Sequence, residues 1–221
     1  MGAREGKDRL FDGFASVGKA VSSGRRLELV DVLSQGPRSV ERLAAEIGQS
    51  VANTSAHLRS LLAAGLVSTE RDGNRVVYAL AGPEVEALWR ALRATAEAHN
   101  AKLDRLAADY LGDRAGLEAI TRSELVRRLA SESPPVVLDV RPGEEYRAGH
   151  IPGAMSVPPD DLATQLSSVG GSGDVIAYCR GPFCVYADEA VRVLGGRARR
   201  LEDGFPEWRL AGLPVAVGDG R

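Results

Sequence analysis

The sequence predicts two domains: a mainly α-helical domain that ends in a β-hairpin, followed by an α/β domain with a central parallel sheet. From residue 10 to about residue 62, apolar residues recur every three or four positions, which is the period of a helix. Two strand-like runs then meet across Asp72-Gly73, a strong signal for a two-residue hairpin turn. Beyond residue 116, short continuous apolar runs alternate with helical stretches, as is typical of buried parallel strands.

Length and composition leave either one large domain or two compact ones open, because the chain has 221 residues. The net charge of −2 neither identifies nor excludes a nucleic-acid partner, since the placement of the arginines decides that question. No apolar run approaches the roughly 18 residues of a membrane span, and no secretory signal is recognisable. We therefore expect a cytoplasmic protein without a membrane partner.

The N-terminal domain is predicted to contain four short helices before the hairpin. The helical pattern is interrupted at residues 22–24, at Gly36-Pro37 and at residues 48–50. The hairpin strands are expected over residues 66–71 and 74–80. A helix packed directly against a hairpin of this kind is the arrangement of a winged helix-turn-helix.

A long helix is predicted from Pro83 to residue 111, with proline in its first turn. Its apolar positions recur at alternating steps of four and three: Val85, Trp89, Leu92, Ala96, His99, Leu103, Leu106 and Tyr110. A helix of about 40 Å is too long for a small domain to cover, so we favour a homodimer interface along residues 83–111. The alternative is a helix that lies across its own domain.

The domain boundary is predicted at residues 112–118, where the helical period stops and glycines appear. The first domain then covers residues 1–111 and the second residues 119–221. Thr121 and Glu124 form a potential capping box for a helix to about Ser131. Strands are expected at residues 136–140, 175–178 and 198–201, and a further helix is expected at residues 187–194.

The two helices between Ser39 and Leu62 have the spacing of a helix-turn-helix, with Ser50 as the N-cap of the second helix. The predicted inward stripe consists of Val51, Thr54, Leu58, Leu61 and Leu62. The predicted outward face consists of Ala52, Asn53, Ala56, His57, Arg59 and Ser60. Small and polar side chains of this kind suit a helix that enters the major groove of double-stranded DNA.

Arg71 and Arg75 flank the hairpin turn, where they can present cations to the DNA backbone or minor groove. The predicted DNA-binding residues are Ser50, Asn53, Ser55, His57, Arg59, Arg71 and Arg75. In the alternative interpretation, the helix-turn-helix serves only protein packing and the two hairpin arginines are ordinary solvated charges.

Residues 25–80 resemble the winged-helix repressors named for arsenic resistance. The similarity is strongest over Asn53-Thr54-Ser55-Ala56-His57-Leu58-Arg59-Ser60-Leu61-Leu62-Ala63-Ala64-Gly65-Leu66-Val67. The resemblance implies a homodimer built through the first and last helices, a two-fold symmetric operator, and repression relieved by an inducer. Many members sense metals through cysteines, but Leu43-Ala44-Ala45-Glu46 contains none and His99 stands alone on its helix. We therefore predict no metal and no cofactor.

The two cysteines of the sequence lie five residues apart in a strand, loop and helix pattern. The loop is Cys179-Arg180-Gly181-Pro182-Phe183-Cys184, and these six residues are candidate catalytic residues. Backbone N–H groups and the following helix would stabilise a thiolate or persulfide at Cys179, and the charge of Arg180 would add to that effect. The alternative is a buried structural cysteine.

The second domain resembles the rhodanese family from Ile120 to about Val217. The resemblance rests on Leu138-Asp139-Val140-Arg141, Glu144-Glu145-Tyr146, Gly149-His150-Ile151-Pro152-Gly153-Ala154, the cysteine loop and Gly204-Phe205-Pro206-Glu207-Trp208. It implies that Cys179 accepts sulfane sulfur from a donor such as thiosulfate or a persulfide. It also implies that Asp139 and Arg141 support the loop and that His150 belongs to a structural turn.

The loop departs from that of related phosphatases and arsenate reductases, because Cys184 and Val185 stand where those enzymes end the loop in arginine. Oxyanion chemistry is therefore not expected. Many sulfurtransferases carry a basic or polar residue at the position of Cys184, which argues against efficient thiosulfate turnover.

Cys184 offers a second thiol that can attack a persulfide or sulfenic acid on Cys179 and close a bridge. Alternatively, it is a small apolar residue that begins a helix. Two functions follow. In the first, the protein is a transcriptional regulator, with a repressor favoured, whose DNA affinity depends on sulfur chemistry at Cys179. In the second, it is a sulfurtransferase enzyme with an accessory DNA-binding domain.

Overall fold

The computed structural model of the chain describes residues 2–165 and 173–219. Residues 220 and 221, which end the predicted second domain, lie outside the described residues. The chain divides into two compact units, Met1–His99 and Asn100–Arg221. The first is mainly helical with a small antiparallel sheet, and the second has helices around a parallel sheet, so the predicted fold class is confirmed.

Within residues 2–99 of the first unit, four helices precede the hairpin, as the sequence predicts. They are α1 (Ala3–Val21), α2 (Gly24–Ser34), α3 (Val40–Glu46) and α4 (Val51–Ala63). The first helix starts well before residue 10 and is 19 residues long, rather than short. Leu29, Leu43, Leu58 and Leu61 are fully buried between these helices and form the centre of the core.

The hairpin is part of a three-stranded antiparallel sheet. Its strands are β1 (Arg38–Ser39), β2 (Val67–Asp72) and β3 (Arg75–Leu80), in the order β1-β3-β2. Because Asp72 pairs with Arg75, the turn residues are Gly73 and Asn74, one position beyond the predicted Asp72-Gly73. Gly73 has a φ of +58°, which explains the glycine at the first turn position.

The prediction of a single helix over residues 83–111 is wrong, because the helix is interrupted at Asn100. The two helices are α5 (Pro83–His99) and α6 (Ala101–Leu111). Asn100 is extended, and its side chain accepts a hydrogen bond from the backbone N–H of Lys102 at 3.2 Å. Asparagine is among the best N-cap residues, so a new helix starts here despite the apolar period that runs past it.

The apolar seam predicted along that helix is divided as well. Val85 is buried in the core of the first unit, and the indole N–H of Trp89 donates to the Asp31 carboxylate at 2.9 Å. Both residues therefore stabilise the unit to which they belong, whereas Leu92 on the same helix is exposed. The break at Asn100 therefore interrupts the helix on which the seam along residues 83–111 was predicted.

The second unit is built on a five-stranded parallel sheet within the described residues, in the order β4-β8-β7-β5-β6. The strands are β4 (Ala119–Ile120), β5 (Val136–Asp139), β6 (Met155–Ser156), β7 (Val175–Tyr178) and β8 (Ala198–Leu201). The predicted strands at residues 136–140, 175–178 and 198–201 correspond to β5, β7 and β8. Short continuous apolar runs identified β5 and β7, because both faces of a parallel sheet are buried.

Helices cover both faces of this sheet, as predicted. They are α7 (Arg122–Leu129), α8 (Gly143–Ala148), α9 (Leu162–Gln165), α10 (Tyr186–Leu194) and α11 (Phe205–Leu210). Along β7, Val175 and Ala177 belong to the same apolar cluster as α10, whereas Ile176 and Tyr178 belong to the cluster formed with α7 and α11. Cys179 follows in this alternation and faces the α10 side.

Half of the predicted capping box is present at the start of α7. The Thr121 hydroxyl accepts a hydrogen bond from the backbone N–H of Glu124 at 3.2 Å. The Glu124 carboxylate instead pairs with Arg127 and Arg128, the latter at 2.6 Å, because these cations follow it by three and four residues on the same helix face.

Across the described residues, no helix combines the length and the apolar character needed to span a membrane.

Candidate DNA interface and cysteine loop

The recognition helix predicted from the sequence is α4. Gly48, with a φ of +60°, reverses the chain between α3 and α4, and Ser50 starts the second helix by accepting the backbone N–H of Asn53 at 3.2 Å. Thr54, Leu58 and Leu61 are completely buried. This stripe holds α4 against the core and leaves the opposite face of the helix exposed.

The predicted inward stripe was too wide. Val51 is 45% exposed and Leu62 is 40% exposed. With 3.6 residues per turn, both lie on the same edge of the stripe that Leu58 anchors, so neither reaches the core. The exposed face of α4 is therefore more apolar at this edge than the sequence pattern predicts.

The predicted DNA-binding residues of α4 differ in their accessibility. Asn53 and Arg59 are exposed, together with the small residues Ala52 and Ala56. Ser55 and His57 are half-buried at the borders of that face, and the hydroxyl of Ser50 is occupied by its capping bond. Asn53 and Arg59 are thus the long polar side chains of α4 best placed to reach a ligand.

Arg71 and Arg75 are exposed beside the hairpin turn, as predicted. The Glu41 carboxylate of α3 lies close enough to interact with Arg75. A hydrogen bond from the Ser39 hydroxyl is the main cause that lowers the pKa of Glu41, and the charge of Arg75 lowers it further. Arg75 thus has an acidic neighbour in α3.

The cysteine loop connects β7 to α10 and brings its two thiols together. Cys179 and Cys184 form a disulfide, with 6.2 Å between their Cα atoms. A hydrogen bond of 3.1 Å from the backbone N–H of Cys184 to the carbonyl oxygen of Gly181 closes the turn between them. Cys179 is buried, whereas Cys184, like Gly181, Pro182 and Phe183, is half-buried.

A buried polar network lies beneath the loop. Arg141 donates to Asp139 through Nε at 2.9 Å and to the carbonyl oxygen of Gly149 through Nη2 at 2.7 Å. Asp139 also accepts the hydroxyl of Tyr178, the residue before Cys179, at 2.5 Å. Asp139 and Arg141 are both completely buried, so they act on the loop through the strand residue that precedes it.

Tyr178 keeps its proton in this network. Burial raises the pKa of its hydroxyl well above the ordinary value, and the neighbouring Asp139 charge raises it further. The same oxygen accepts the backbone N–H of Ile151 at 3.1 Å. A neutral hydroxyl can serve as donor to Asp139 and acceptor from Ile151, and it thereby fixes the end of β7.

Arg180 is turned towards a buried carboxylate. Its Nε donates to Glu145 at 2.8 Å, and the Glu145 side chain is completely buried. From the sequence, the charge of Arg180 was expected to stabilise a thiolate at Cys179. Glu145 offsets much of that charge, so the loop backbone and the start of α10 remain as stabilising dipoles.

Gly204 provides a backbone support for the loop. A Cβ atom at this position would lie only 2.3 Å from the carbonyl carbon of Arg180 and 2.4 Å from the backbone nitrogen of Gly181. The next residue, Phe205, donates its N–H to the carbonyl oxygen of Cys179 at 3.0 Å. The start of α11 therefore holds both the strand end and the first peptide of the loop.

His150 lies inside the second unit, away from solvent. Its ring stacks on Tyr146 with 3.7 Å between centroids, and Nδ1 lies 2.8 Å from the carbonyl oxygen of Tyr146. Its backbone exchanges two hydrogen bonds with Ala216. These contacts describe a residue that holds a turn in place.

Neither Glu145 nor Gly204 was predicted to have a role in the loop, although both belong to the motifs that resemble the rhodanese family. A buried acidic residue in a helix and a glycine without positive φ carry no distinctive local signal. Their functions depend on Arg180, which lies 35 residues after Glu145.

Known proteins resemble both units. Residues 23–69 match the bacterial regulatory proteins of the arsR family, and residues 121–211 match the rhodanese-like domain. Over 220 residues the chain is 46% identical to the HTH-type transcriptional regulator Rv0324 of Mycobacterium tuberculosis, which covers 98% of this chain and 96% of that protein. The chain belongs to the arsR family of bacterial regulatory proteins. This arsR-family regulator carries a rhodanese-like domain behind its winged helix-turn-helix.

Two further similarities cover one unit each. A sulfurtransferase of Allochromatium vinosum is 29% identical over 103 residues, which is 46% of this arsR-family regulator and 96% of that protein. The solution structure of a winged helix-turn-helix DNA-binding domain from Mycobacterium bovis is 39% identical and covers 45% of this chain and 91% of that domain, with a TM-score of 0.42.

Proposed function

We propose that this regulator binds double-stranded DNA through α4 and the β2–β3 hairpin, and that sulfane sulfur changes its affinity by reacting at Cys179. The observation that carries this proposal is the disulfide between Cys179 and Cys184. The sequence has no other cysteine, so every thiol-based signal must start in this loop. We place this chemistry in the cytoplasm, where small thiols can reverse it.

The proposed signal is a two-step reaction. The Cys179 thiolate attacks the sulfane sulfur of a persulfide donor, and the S–S bond of the donor breaks to release the donor thiolate. The product is a persulfide on Cys179. The Cys184 thiolate then attacks Cys179 Sγ and displaces the outer sulfur as hydrogen sulfide, which leaves the disulfide. Two protein thiols are oxidised and the sulfane sulfur is reduced.

The different exposure of the two cysteines determines which sulfur a small thiol attacks when it reduces the disulfide. Cys179 is 2% exposed, whereas Cys184 is half-buried at the surface side of the loop. A small thiol therefore reaches the sulfur of Cys184 more easily, and attack there releases Cys179 as the leaving thiolate. Reduction in this direction regenerates the nucleophile.

The DNA-binding part of the proposal rests on the exposed face of α4. Asn53 and Arg59 project from it next to small residues that allow close approach to a groove, and Arg71 extends the cationic surface to the hairpin. We further propose a homodimer on a two-fold symmetric operator. Exposed apolar residues on α1 support it, since Leu10, Phe11 and Phe14 are each more than half exposed.

The proposal is tested by measuring binding to the DNA upstream of the protein's own coding region, with and without polysulfide. For a repressor, polysulfide is expected to weaken wild-type binding about tenfold, a typical coupling between two sites. Cys179→Ser should bind with unchanged basal affinity and ignore polysulfide. Cys184→Ser should accumulate the Cys179 persulfide without the bridge, and mass spectrometry distinguishes these products.

Two results would contradict the proposal. Wild-type affinity that is identical before and after polysulfide excludes sensing at the loop. A polysulfide response that survives in Cys179→Ser places the signal elsewhere in the chain.

A second candidate function is sulfur transfer as the main activity, with DNA binding as an accessory. It is supported by the similarity of the second unit to a sulfurtransferase over nearly the whole length of that protein. Rapid wild-type turnover from thiosulfate to cyanide, combined with DNA affinity that ignores sulfur donors, would favour it. Cys184→Ser separates the two functions further. A sulfur-carrier enzyme does not need a bridging thiol, so its turnover should persist in this variant.

A further inference from the structure

The segment between α6 and β4 is attached to the cysteine loop and to α10. Residues 112–118 form the linker predicted from the sequence. In the structure, the carbonyl oxygen of Asp113 accepts a hydrogen bond from Arg192 of α10 at 3.0 Å, and Leu117 packs against the apolar cluster that contains Cys179. The segment is thus fixed at one end to α10 and at the other to the apolar cluster that contains Cys179.

Arg114, in the middle of that segment, binds the backbone of the cysteine loop. Its Nη1 donates to the carbonyl oxygen of Pro182 at 2.9 Å, and its Nη2 donates to that of Cys184 at 3.4 Å. Its Nε donates to the Asp188 carboxylate in the first turn of α10 at 2.6 Å. One planar guanidinium therefore joins the Cys184 end of the loop to the helix that follows it.

Asp188 makes this contact strong. Its side chain is 1% exposed, and a second guanidinium, that of Arg200 on β8, lies 3.6 Å away. Burial lowers the pKa of Arg200, and the nearby charge of Arg114 lowers it further. Since Arg114 makes the shorter contact, its removal would leave the buried Asp188 with only the longer pairing described for Arg200.

We propose that Arg114 is a positioning residue that favours the Cys179–Cys184 bridge and transmits its state to the end of α6. The disulfide holds the two Cα atoms 6.2 Å apart and fixes the carbonyl groups that Arg114 binds. Opening the bridge releases that constraint, so the carbonyl of Cys184 can move relative to the guanidinium. Arg114 lies three residues beyond Leu111, where α6 ends, so the change reaches the helix terminus.

This inference rests on the proposed dithiol–disulfide chemistry of the loop, but not on DNA binding. It is tested first by equilibrating the full chain with mixtures of oxidised and reduced dithiothreitol and quantifying the disulfide by alkylation and mass spectrometry. Arg114→Ala is expected to shift the equilibrium about tenfold towards the dithiol, or about 30 mV. Arg114→Lys keeps the charge but loses the planar fork, so a smaller shift in the same direction is expected.

Arg128→Ala is the matched control. Arg128 is 30% exposed, compared with 22% for Arg114, and it likewise binds more than one partner, Glu124 at 2.6 Å and Asp174 at 2.7 Å, but neither belongs to the loop. Its replacement should leave the thiol equilibrium unchanged. If Arg114→Ala does not fold, the comparison of Arg114→Lys with Arg128→Lys replaces it.

The second readout is amide hydrogen exchange over residues 108–117 in the dithiol and disulfide forms. We expect slower exchange in the wild-type disulfide form and no difference between the two forms of Arg114→Ala. An unchanged thiol equilibrium in both Arg114 variants, or an exchange difference that persists without Arg114, would overturn the inference. DNA affinity that ignores the bridge would contradict only the proposed function, because neither readout involves DNA.

Discussion

Gly204 and the peptide between Arg180 and Gly181 are in direct backbone contact, and this contact sets the position of the cysteine loop. Gly204 belongs to a motif of the sequence, but the requirement for glycine at this position comes from its neighbours in space. Glycine at 204 does not have a positive φ, so the requirement comes from the approach of another chain segment. Such a requirement cannot be deduced from local spacing, and the same holds for the pairing of Glu145 with Arg180.

Gly204→Ala is therefore expected to displace the loop and destabilise the second unit. Overpacking of this kind typically costs about 1–3 kcal/mol, and here the nearest atoms are backbone atoms that cannot rotate away. Chemical unfolding measures the loss of stability, and the rate of disulfide formation reports the displacement of the cysteine loop. Gly196→Ala is the control, because no atom lies within 4 Å of a Cβ at that position. Equal effects of both substitutions would contradict the supporting role.

The buried hydroxyl of Tyr178 is expected to stabilise the second unit. Tyr178→Phe leaves Asp139 without the hydroxyl donor of this buried network, which should lower the free energy of unfolding by about 1–3 kcal/mol at pH 7. Because burial raises the pKa of Tyr178 in the folded state, the unfolded chain loses this proton first as the pH rises above about 10. The wild-type free energy of unfolding should therefore fall in that range.

The pH effect has a clear control. Tyr178→Phe should remove up to about 1.4 kcal/mol per pH unit from that decline, since one proton fewer is involved. Tyr110→Phe alters a side chain that is 67% exposed and should preserve the wild-type slope. Denaturant unfolding between pH 7 and pH 11 measures both, and parallel curves for wild type and Tyr178→Phe would refute the assignment.

Among the elements, α4 and the hairpin show what a period can and cannot predict. The helical spacing correctly identified α4, and the buried Thr54, Leu58 and Leu61 confirm its inward side. The same spacing failed for residues 83–111, because an apolar period does not register a capping side chain such as that of Asn100. The hairpin was found one residue out of register, since Asp72 can occupy a turn or end a strand equally well.

The accessibility of these elements predicts different roles for two arginines. Arg59→Ala should weaken operator binding by about 1–3 kcal/mol, because Arg59 lies on the exposed face of the recognition helix. Arg71→Ala should weaken binding to all DNA sequences to a similar extent. It should also reduce the slope of the logarithm of affinity against the logarithm of salt concentration by about one, as expected for a phosphate contact. Binding measured at several salt concentrations on operator and unrelated DNA tests both.

Arg127→Ala serves as the control for this pair. Arg127 is 77% exposed and belongs to the second unit, so its loss should change neither affinity nor salt dependence. If Arg59→Ala and Arg71→Ala both behaved like Arg127→Ala, α4 and the hairpin would not be the DNA-binding surface.

At the scale of the whole molecule, the sequence predicted both fold types and the location of all thiols. Continuous apolar runs marked β5 and β7, and family-specific motifs marked the second unit. The contact between Arg114 and Asp188 could not be predicted, because 74 residues separate the partners and neither lies in a recognisable motif. The link between the cysteine loop and the end of α6 emerged only from the structure.

The proposed control of DNA affinity by the Cys179–Cys184 bridge can be measured by comparing the two redox forms of the protein. Fluorescence anisotropy compares operator binding by the full chain in its dithiol form and in its disulfide form, purified separately and assayed at the same salt concentration. We predict about tenfold weaker binding by the disulfide form, with full affinity restored by reduction. Equal affinity of the two forms would show that the bridge does not control DNA binding.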